Sequence, residues 1–268
     1  MPEKFTKFGC QVVAFNETDF LEAIIRLFQP FVDEIVVSTG NKSWMGNIEN
    51  DGSVEMVVLP LTKEFNNVHL IKGDWTTEAQ QRNNALKHLN ECNYIFVVDT
   101  DELWASEYIT KVKEFALSHP GYNIFRANWN TRFKNINWRV EPREQFKPIV
   151  LINNKKGLQF TENRHIQESV NTISILIPEK TALVEHLSYV RSEPSKIKEK
   201  INTFSHANEV INGTDWWYRE VYLQTDINSK NIHPTEPTAY QGLVEDELHP
   251  EIKRFLKKYS PKIFKDEK

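Results

Sequence analysis

The feature that most constrains this chain is the run Tyr94–Val98, five residues without a charge that pass directly into Asp99, Thr100, Asp101 and Glu102. A continuous apolar strand of this kind belongs where a sheet is buried on both faces. The carboxylates that follow it place its end at the carboxyl edge of such a sheet. In open α/β sheets ligands bind in the crevice beyond that edge, because the loops there can carry polar groups that the core cannot. On extended backbone, residues two apart point the same way, so Asp99 and Asp101 are expected to aim at one point while Thr100 faces elsewhere. Two carboxylates that close repel unless something positive lies between them. A hard divalent cation, magnesium or manganese, shared with substrate phosphates is the simplest solution. The plainer alternative is a solvated acidic turn that ends the strand, with Glu102 opening the next helix.

The segments before this strand alternate in the way that builds a mostly parallel sheet with helices on its faces. "CQVVAF" reads as a first strand, and "ETDFLEAIIRLFQPF" spaces Phe20, Leu21, Ile24, Ile25 and Phe28 as one helical face, with Pro30 near its stop. "DEIVVST" is a second strand followed by a turn-rich loop from Gly40 to Gly52, and "NNVHLIKG" a third. "TTEAQQRNNALKHLN" is a helix in which Thr77 and Gln80 match a capping box. After Ala105 a helix near 106–119 is followed by short strands ("YNIFRAN", "PIVLIN", "ISILI", "ALVEHL") among aromatic and basic loops. From Glu193 the chain reads as mainly helical and polar, with "IKRFLKKY" closing it. With no repeat, low-complexity run or Gly/Ser linker, the expectation is one domain over 1–268, with 1–105 as a regular half and 106–268 as an elaborated half.

Composition narrows the class of function. The 33 basic and 37 acidic residues are interspersed, which argues against a general nucleic-acid surface. No segment approaches the roughly 18 apolar residues of a membrane span, and Met1 to Lys7 carries no apolar signal region, so a soluble cytoplasmic protein is expected and the sequons at Asn16, Asn41 and Asn212 carry little weight. Cys10 and Cys92 sit beside apolar runs and read as buried free thiols. Trp44, Trp75, Trp129 and Trp138 fall in polar surroundings, where indoles fill core or stack on flat ligands and sugar faces.

Several blocks in order resemble the family 2 type of nucleotide-sugar glycosyltransferases: "VVAFNE", "DEIVVSTG", "GDWTTEAQQRNNAL" with its Arg82-Asn83, "YIFVVDTDE", and later "RHIQESV" and "VEHLSYVRSEPSKIKEKINTFSHANE". The match covers about the first 105 residues and two patches beyond. The resemblance implies an A-type glycosyltransferase fold, an α/β sandwich around one mostly parallel mixed sheet with an elaborated helical C-terminal part. It also implies inverting, metal-dependent transfer of a sugar from a nucleotide diphosphate donor to a saccharide or lipid-linked saccharide, as in building a surface glycan. No nucleic acid is involved, and association with a membrane surface is compatible. One departure stands out: the second strand of that family usually delivers an aspartate toward the nucleobase, and Ser38 and Thr39 stand there instead.

On this reading Asn16, Glu17, Ser38, Arg82, Asp99 and Thr100 form the donor-binding set, and Mn2+ or Mg2+ is held by Asp99 and Asp101 with His186 completing the shell. Asp101, through the metal, and Glu168, as the base for the acceptor hydroxyl, are the expected catalytic residues, with His165 a weaker base. Plainer readings stand beside these. They are Asn16 as the N-cap of the first helix, Arg82 as an exposed helix arginine, Glu168 as a strand-surface glutamate and His186 as a bonded core histidine. Asp74 could reach the nucleotide or serve as a surface or capping residue. Arg126, Arg132, Arg139, Arg143 and Arg164 could line a groove for an anionic or saccharide acceptor or form a solvated loop surface. Lys196, Lys198 and Lys200 read as a helix face in water that could lie over phosphates. The rival functions are a haloacid-dehalogenase-like phosphatase, which also places Asp-x-Asp after an apolar strand, and a non-catalytic saccharide-binding relative.

Overall fold

The computed structural model describes residues 5–154, 157–166, 172–203 and 206–264. In chain order its strands are β1 (Phe8–Ala14), β2 (Glu34–Gly40), β3 (Val68–Gly73), β4 (Tyr94–Asp99), β5 (Glu102–Leu103), β6 (Ile124–Arg126), β7 (Asn128–Phe133), β8 (Asn135–Glu141), β9 (Ile149–Asn153), β10 (Phe160–Glu162), β11 (His165–Ile166), β12 (Ser174–Leu176), β13 (Leu183–Tyr189) and β14 (Gly242–Glu245). The helices are α1 (Leu21–Phe28), α2 (Ser53–Glu64), α3 (Glu78–His88), α4 (Ser106–Ser118), α5 (Pro194–Thr203), α6 (Thr214–Trp216), which runs on as a π-helical turn Trp217–Tyr222, and α7 (Pro250–Tyr259).

A seven-stranded sheet runs β12-β6-β9-β4-β1-β2-β3. β1 pairs in parallel with both β2 and β4, and β2 with β3, while β9 lies antiparallel between β4 and β6. The sheet is therefore mixed, with a parallel centre. Strand order reverses at β1, since β2 and β3 build to one side and β4 to the other, and the carboxyl ends of β1 and β4 flank the crevice that this reversal leaves. The period-2 alternation of β4 explains its unbroken apolar sequence. Tyr94, Phe96 and Val98 pack into the cluster shared with α1, α2, α4 and α7, whereas Ile95 and Val97 pack into the cluster under α3 and the β10–β11 hairpin. A one-residue slip would exchange the two sets, so the register is fixed and the position of Asp99 with it.

Helix α1 arises where the apolar spacing predicts, and α3 starts at Thr77, whose hydroxyl accepts from the Gln80 N–H at 3.2 Å. The return bond of the box is displaced by one residue, because the Gln80 carboxamide accepts from the N–H and hydroxyl of Thr76. Helix α2 is the element that periodicity does not announce. Pro60 lies inside it, only Val54, Val58 and Leu61 are buried, and it starts after Gly52, whose φ of 78° suits a residue without Cβ. The second half departs further from expectation. The basic, aromatic stretch 128–141 forms the β7–β8 hairpin of a second, five-stranded sheet ordered β14-β8-β7-β13-β5, and β14 interrupts the helical C-terminal part. The two-residue strand β5 pairs with β13 so that Glu102 lies opposite His186, and the Leu187 N–H donates to the Asp101 carbonyl at 2.8 Å. This pairing carries the acidic turn across to the second sheet.

Cys10 and Cys92 are buried free thiols, as their apolar neighbours imply, and burial pushes the Cys92 thiol up to about 12. No helix among the described residues is long and apolar enough to cross a membrane.

Candidate functional site

A cleft of about 600 Å³ opens at the carboxyl ends of β1 and β4. Asn16, Glu17, Arg82, Asp99, Thr100, Asp101 and His186 line it together.

Asp99 and Asp101 do not converge as period-2 spacing predicts. The strand ends at Asp99, and a turn at Thr100–Asp101 breaks the alternation. Asp99 continues the face of Ile95 and Val97 toward α3, where it accepts from Arg82 Nη2 at 2.5 Å and Arg164 Nη1 at 3.1 Å. Burial works against its charge, but the two guanidiniums outweigh it and hold the carboxyl below its ordinary value. Asp101 turns toward β13 and α5, accepting from Lys200 Nζ at 2.6 Å and Arg191 Nη2 at 3.1 Å. Burial is again overcome, here by Lys200, His186 and Arg191, and the carboxyl lies far below its usual range. The positive charge that two carboxylates require is supplied by the protein itself.

Glu102 binds these halves together. It is fully enclosed and accepts from Arg164 Nη1 at 2.5 Å and Nη2 at 2.9 Å, from Trp129 Nε1 at 2.7 Å and from the Asp99 N–H at 3.1 Å. It opens β5 rather than a helix. Arg82, far from being an exposed helix arginine, is 1% exposed. Its Nε donates to Glu78 at 2.7 Å and its Nη2 to Asp99, while Nη1 is buried without a partner. An unpaired buried donor costs about 1–3 kcal/mol, and Arg82 is among the residues that line the cleft.

Asn16 is not the cap of α1, which begins after Phe20 without a side-chain cap. At φ 50° it ties its loop to the next one, donating to the Glu49 carbonyl at 3.1 Å and accepting from the Asp51 N–H at 3.0 Å. Glu17 accepts from Arg191 Nε and so links β1 to the Asp101 cluster. Ser38 departs from the expected donor set: it is sealed in the sheet, its hydroxyl donates to the Val12 carbonyl at 3.4 Å, and it does not line the cleft. The loop after β2 brings Trp44 into the cleft instead, its indole N–H donating to Gln81 at 2.8 Å. Asp74 accepts from Asn41 at 2.8 Å outside the lining.

Of the basic scatter, Arg164 lines the cleft and the other four do not. Arg132 pairs with Glu185, Arg139 with Glu141, and Arg143 with Glu179; Arg126 donates to the Lys147 carbonyl, and Arg164 belongs to the acidic turn. The lysines of α5 are only partly a solvated face. Lys198 pairs with Asp215 in the open, but Lys196 reaches Asp19 and Lys200 sits on Asp101. Glu168 lies outside the described residues. His165, on β11, lines the cleft.

A divalent cation fits this donor set in part. Asp101 Oδ1 lies 3.8 Å from His186 Nε2, and the ring, stacked on Trp129 at 3.9 Å, is held by Thr131 Oγ1 at 3.1 Å from Nδ1. Burial lowers His186 to about 3, so the imidazole is neutral and can ligate. Both oxygens of Asp99 are engaged by arginines, and among the described residues no three His, Cys, Asp or Glu side chains form a metal site. One carboxylate and one imidazole are the protein ligands available, with the rest of a shell left to substrate phosphates and water.

His233 faces the same cleft, and its Nδ1 accepts from the N–H groups of Thr235 at 3.3 Å and Glu236 at 3.0 Å. Burial, then the neighbouring His206, lowers it to about 4 from 6.5. A histidine depressed in the folded state binds its proton mainly after unfolding, so its stabilising contribution is full above about pH 6.5 and is lost as pH falls toward 4. Melting temperature should therefore fall between pH 7 and 4.5, and His233→Gln should flatten that slope; an unchanged slope would contradict the assignment.

No family model and no curated protein matches the chain. Among solved structures, S. aureus TarS shares 17% identity over 75% of this chain with a TM-score of 0.44, and this chain spans 40% of that one. TarS 1–349 in complex with UDP shares 15% identity over 83% of this chain and 76% of its own length, with a TM-score of 0.45. A cytidylyltransferase from Leptospira borgpetersenii serovar Hardjo-bovis shares 19% identity over 46% of this chain and 54% of its own, with a TM-score of 0.34. These likenesses assign no chemistry, and the functional reading rests on the site.

Proposed function

We propose that this chain is a nucleotide-sugar glycosyltransferase of the A-type fold, moving a sugar from a nucleoside diphosphate to a hydroxyl of a saccharide acceptor with inversion. The observation that carries this reading is Arg82, a buried guanidinium with an unpartnered Nη1 that lines the crevice at the strand-order reversal. Arg164, Arg191 and Lys200 gather around the same Asp-x-Asp turn. A diphosphate entering there would meet guanidinium donors suited to phosphate oxygens. The aromatic rings of Phe15 and Trp44 at the β1 and β2 side of the cleft suit a nucleobase.

In the proposed reaction the acceptor oxygen bonds to the anomeric carbon as the bond to the diphosphate breaks, and the electron pair leaves on the phosphate oxygen. Arg82 and Lys200 stabilise that developing charge, and Glu168 takes the hydroxyl proton. Manganese or magnesium, held by Asp101 and His186, would add Lewis-acid stabilisation of the departing diphosphate. A phosphatase of the haloacid-dehalogenase kind would need a free Asp99 oxygen as nucleophile, whereas both are occupied by arginines.

The test is a melting screen over uridine, guanosine and thymidine diphosphates, each with manganese or magnesium. One combination is expected to raise Tm by about 5 °C at a hundredfold excess over Kd, and Arg82→Met should remove the rise. Silence from every combination would end the transferase reading.

A further inference from the structure

Beyond Asp101 and His186 the cleft changes character. Its far lobe is formed by the loop between β8 and β9, the residues just after α5 and the segment 233–240. The phenyl ring of Phe146 is 40% exposed in this lobe although it stands in a cleft rather than on a convex face. It lies 5.4 Å from Trp129, which stacks on the His186 ring at 3.9 Å and carries the Arg164 guanidinium over its face at 5.9 Å, so an aromatic ladder leads from the lobe to the edge of Asp101. Two residues before Phe146, the Glu144 carboxylate accepts from the hydroxyl of Tyr240. Tyr240 is itself 2% exposed and packed edge-on against His233 at 4.5 Å. Glu209 and Glu236 add two more carboxylates to the lining, and no Lys or Arg of these three segments lines the lobe.

An exposed ring beside fixed hydrogen-bond acceptors matches a pyranose, which offers an apolar face for stacking and hydroxyls at its rim. The three carboxylates Glu144, Glu209 and Glu236 weigh against a phosphate or carboxylate beside them, which would meet like charge. We propose that this lobe is the acceptor subsite. One sugar ring stacks on Phe146, and Glu144, braced by Tyr240, accepts a hydrogen bond from a hydroxyl or ammonium of that ring. The acceptor is accordingly an uncharged or amino-bearing saccharide at this position, not an acidic one. The name acceptor rests on the transferase reading; the sugar site itself does not.

Saturation-transfer NMR on the full chain without nucleotide tests it, using four probes: methyl β-glucoside, methyl β-glucosaminide, methyl β-glucuronide and glucose 6-phosphate. The first two should bind at least about tenfold more tightly than the acidic pair. Phe146→Ala should weaken them about tenfold, whereas Phe146→Tyr should retain them. Glu144→Gln should narrow the preference over the acidic probes. Equal or better binding of the glucuronide or phosphate, an unchanged affinity in Phe146→Ala, or no transfer from any probe would overturn the proposal. The nucleotide-dependent melting shift of the wild-type chain is read in parallel. Its absence with glycoside binding intact would sink the transferase reading and leave a saccharide site.

Discussion

Asp101→Asn is expected to lower sugar transfer roughly a thousandfold and to destabilise the fold at the same time. The amide keeps the shape but not the charge, so Lys200 and Arg191, which the carboxylate meets at 2.6 and 3.1 Å, face one another across a neutral group. Removing one partner of a buried ionic cluster costs about 3–5 kcal/mol, because the charges left behind are desolvated without compensation. The two consequences can be separated. Adding Lys200→Met removes one orphaned cation, so the double variant should regain part of the stability seen in urea unfolding while staying inactive. Turnover within tenfold of wild type in Asp101→Asn would remove that carboxylate from the mechanism.

Glu102→Gln should cost a similar amount of stability, about 3 kcal/mol or more. Burial, only partly offset by Arg164 and reinforced by Asp99, raises this carboxyl above its ordinary value, yet its two oxygens take four donors. A carboxamide would aim N–H groups at a guanidinium that is itself 6% exposed. Glu22→Gln makes a useful contrast, since Glu22 pairs with Arg26 on the outside of α1 and exposed pairs contribute less than about 1 kcal/mol. If the two glutamines shift the urea midpoint equally, Glu102 is not the strut described here. Transfer should also fall, since Glu102 holds Arg164 against Asp99 and orients the Trp129 indole beneath His186.

The sequence by itself determined the centre of this molecule. Unbroken apolar runs along β1 and β4, apolar spacing of period 3.6 along α1, and a capping threonine before α3 are local regularities, each decided by residues a few positions apart. Together they fix the parallel strands, their register and the edge at which Asp99 and Asp101 emerge. The mixture of small and large signals in 128–141 hid the second sheet, because a strand whose inward side chains are Asn130 and Arg132 owes its burial to partners elsewhere in the chain.

Only the tertiary structure decided what the acidic residues face. A two-residue turn sends Asp99 and Asp101 to different partners, and no spacing rule anticipates Arg191, which lies 90 residues from Asp101 and 174 from Glu17. Glu102 stood in the opening motif without a role until Arg164, 62 residues on, closed over it. Coulomb attraction acts through space and is strongest where water is excluded, so its pairs are chosen by the packing of distant segments. Periodicity along the chain records which face a residue takes; it carries no information about the charge that waits there.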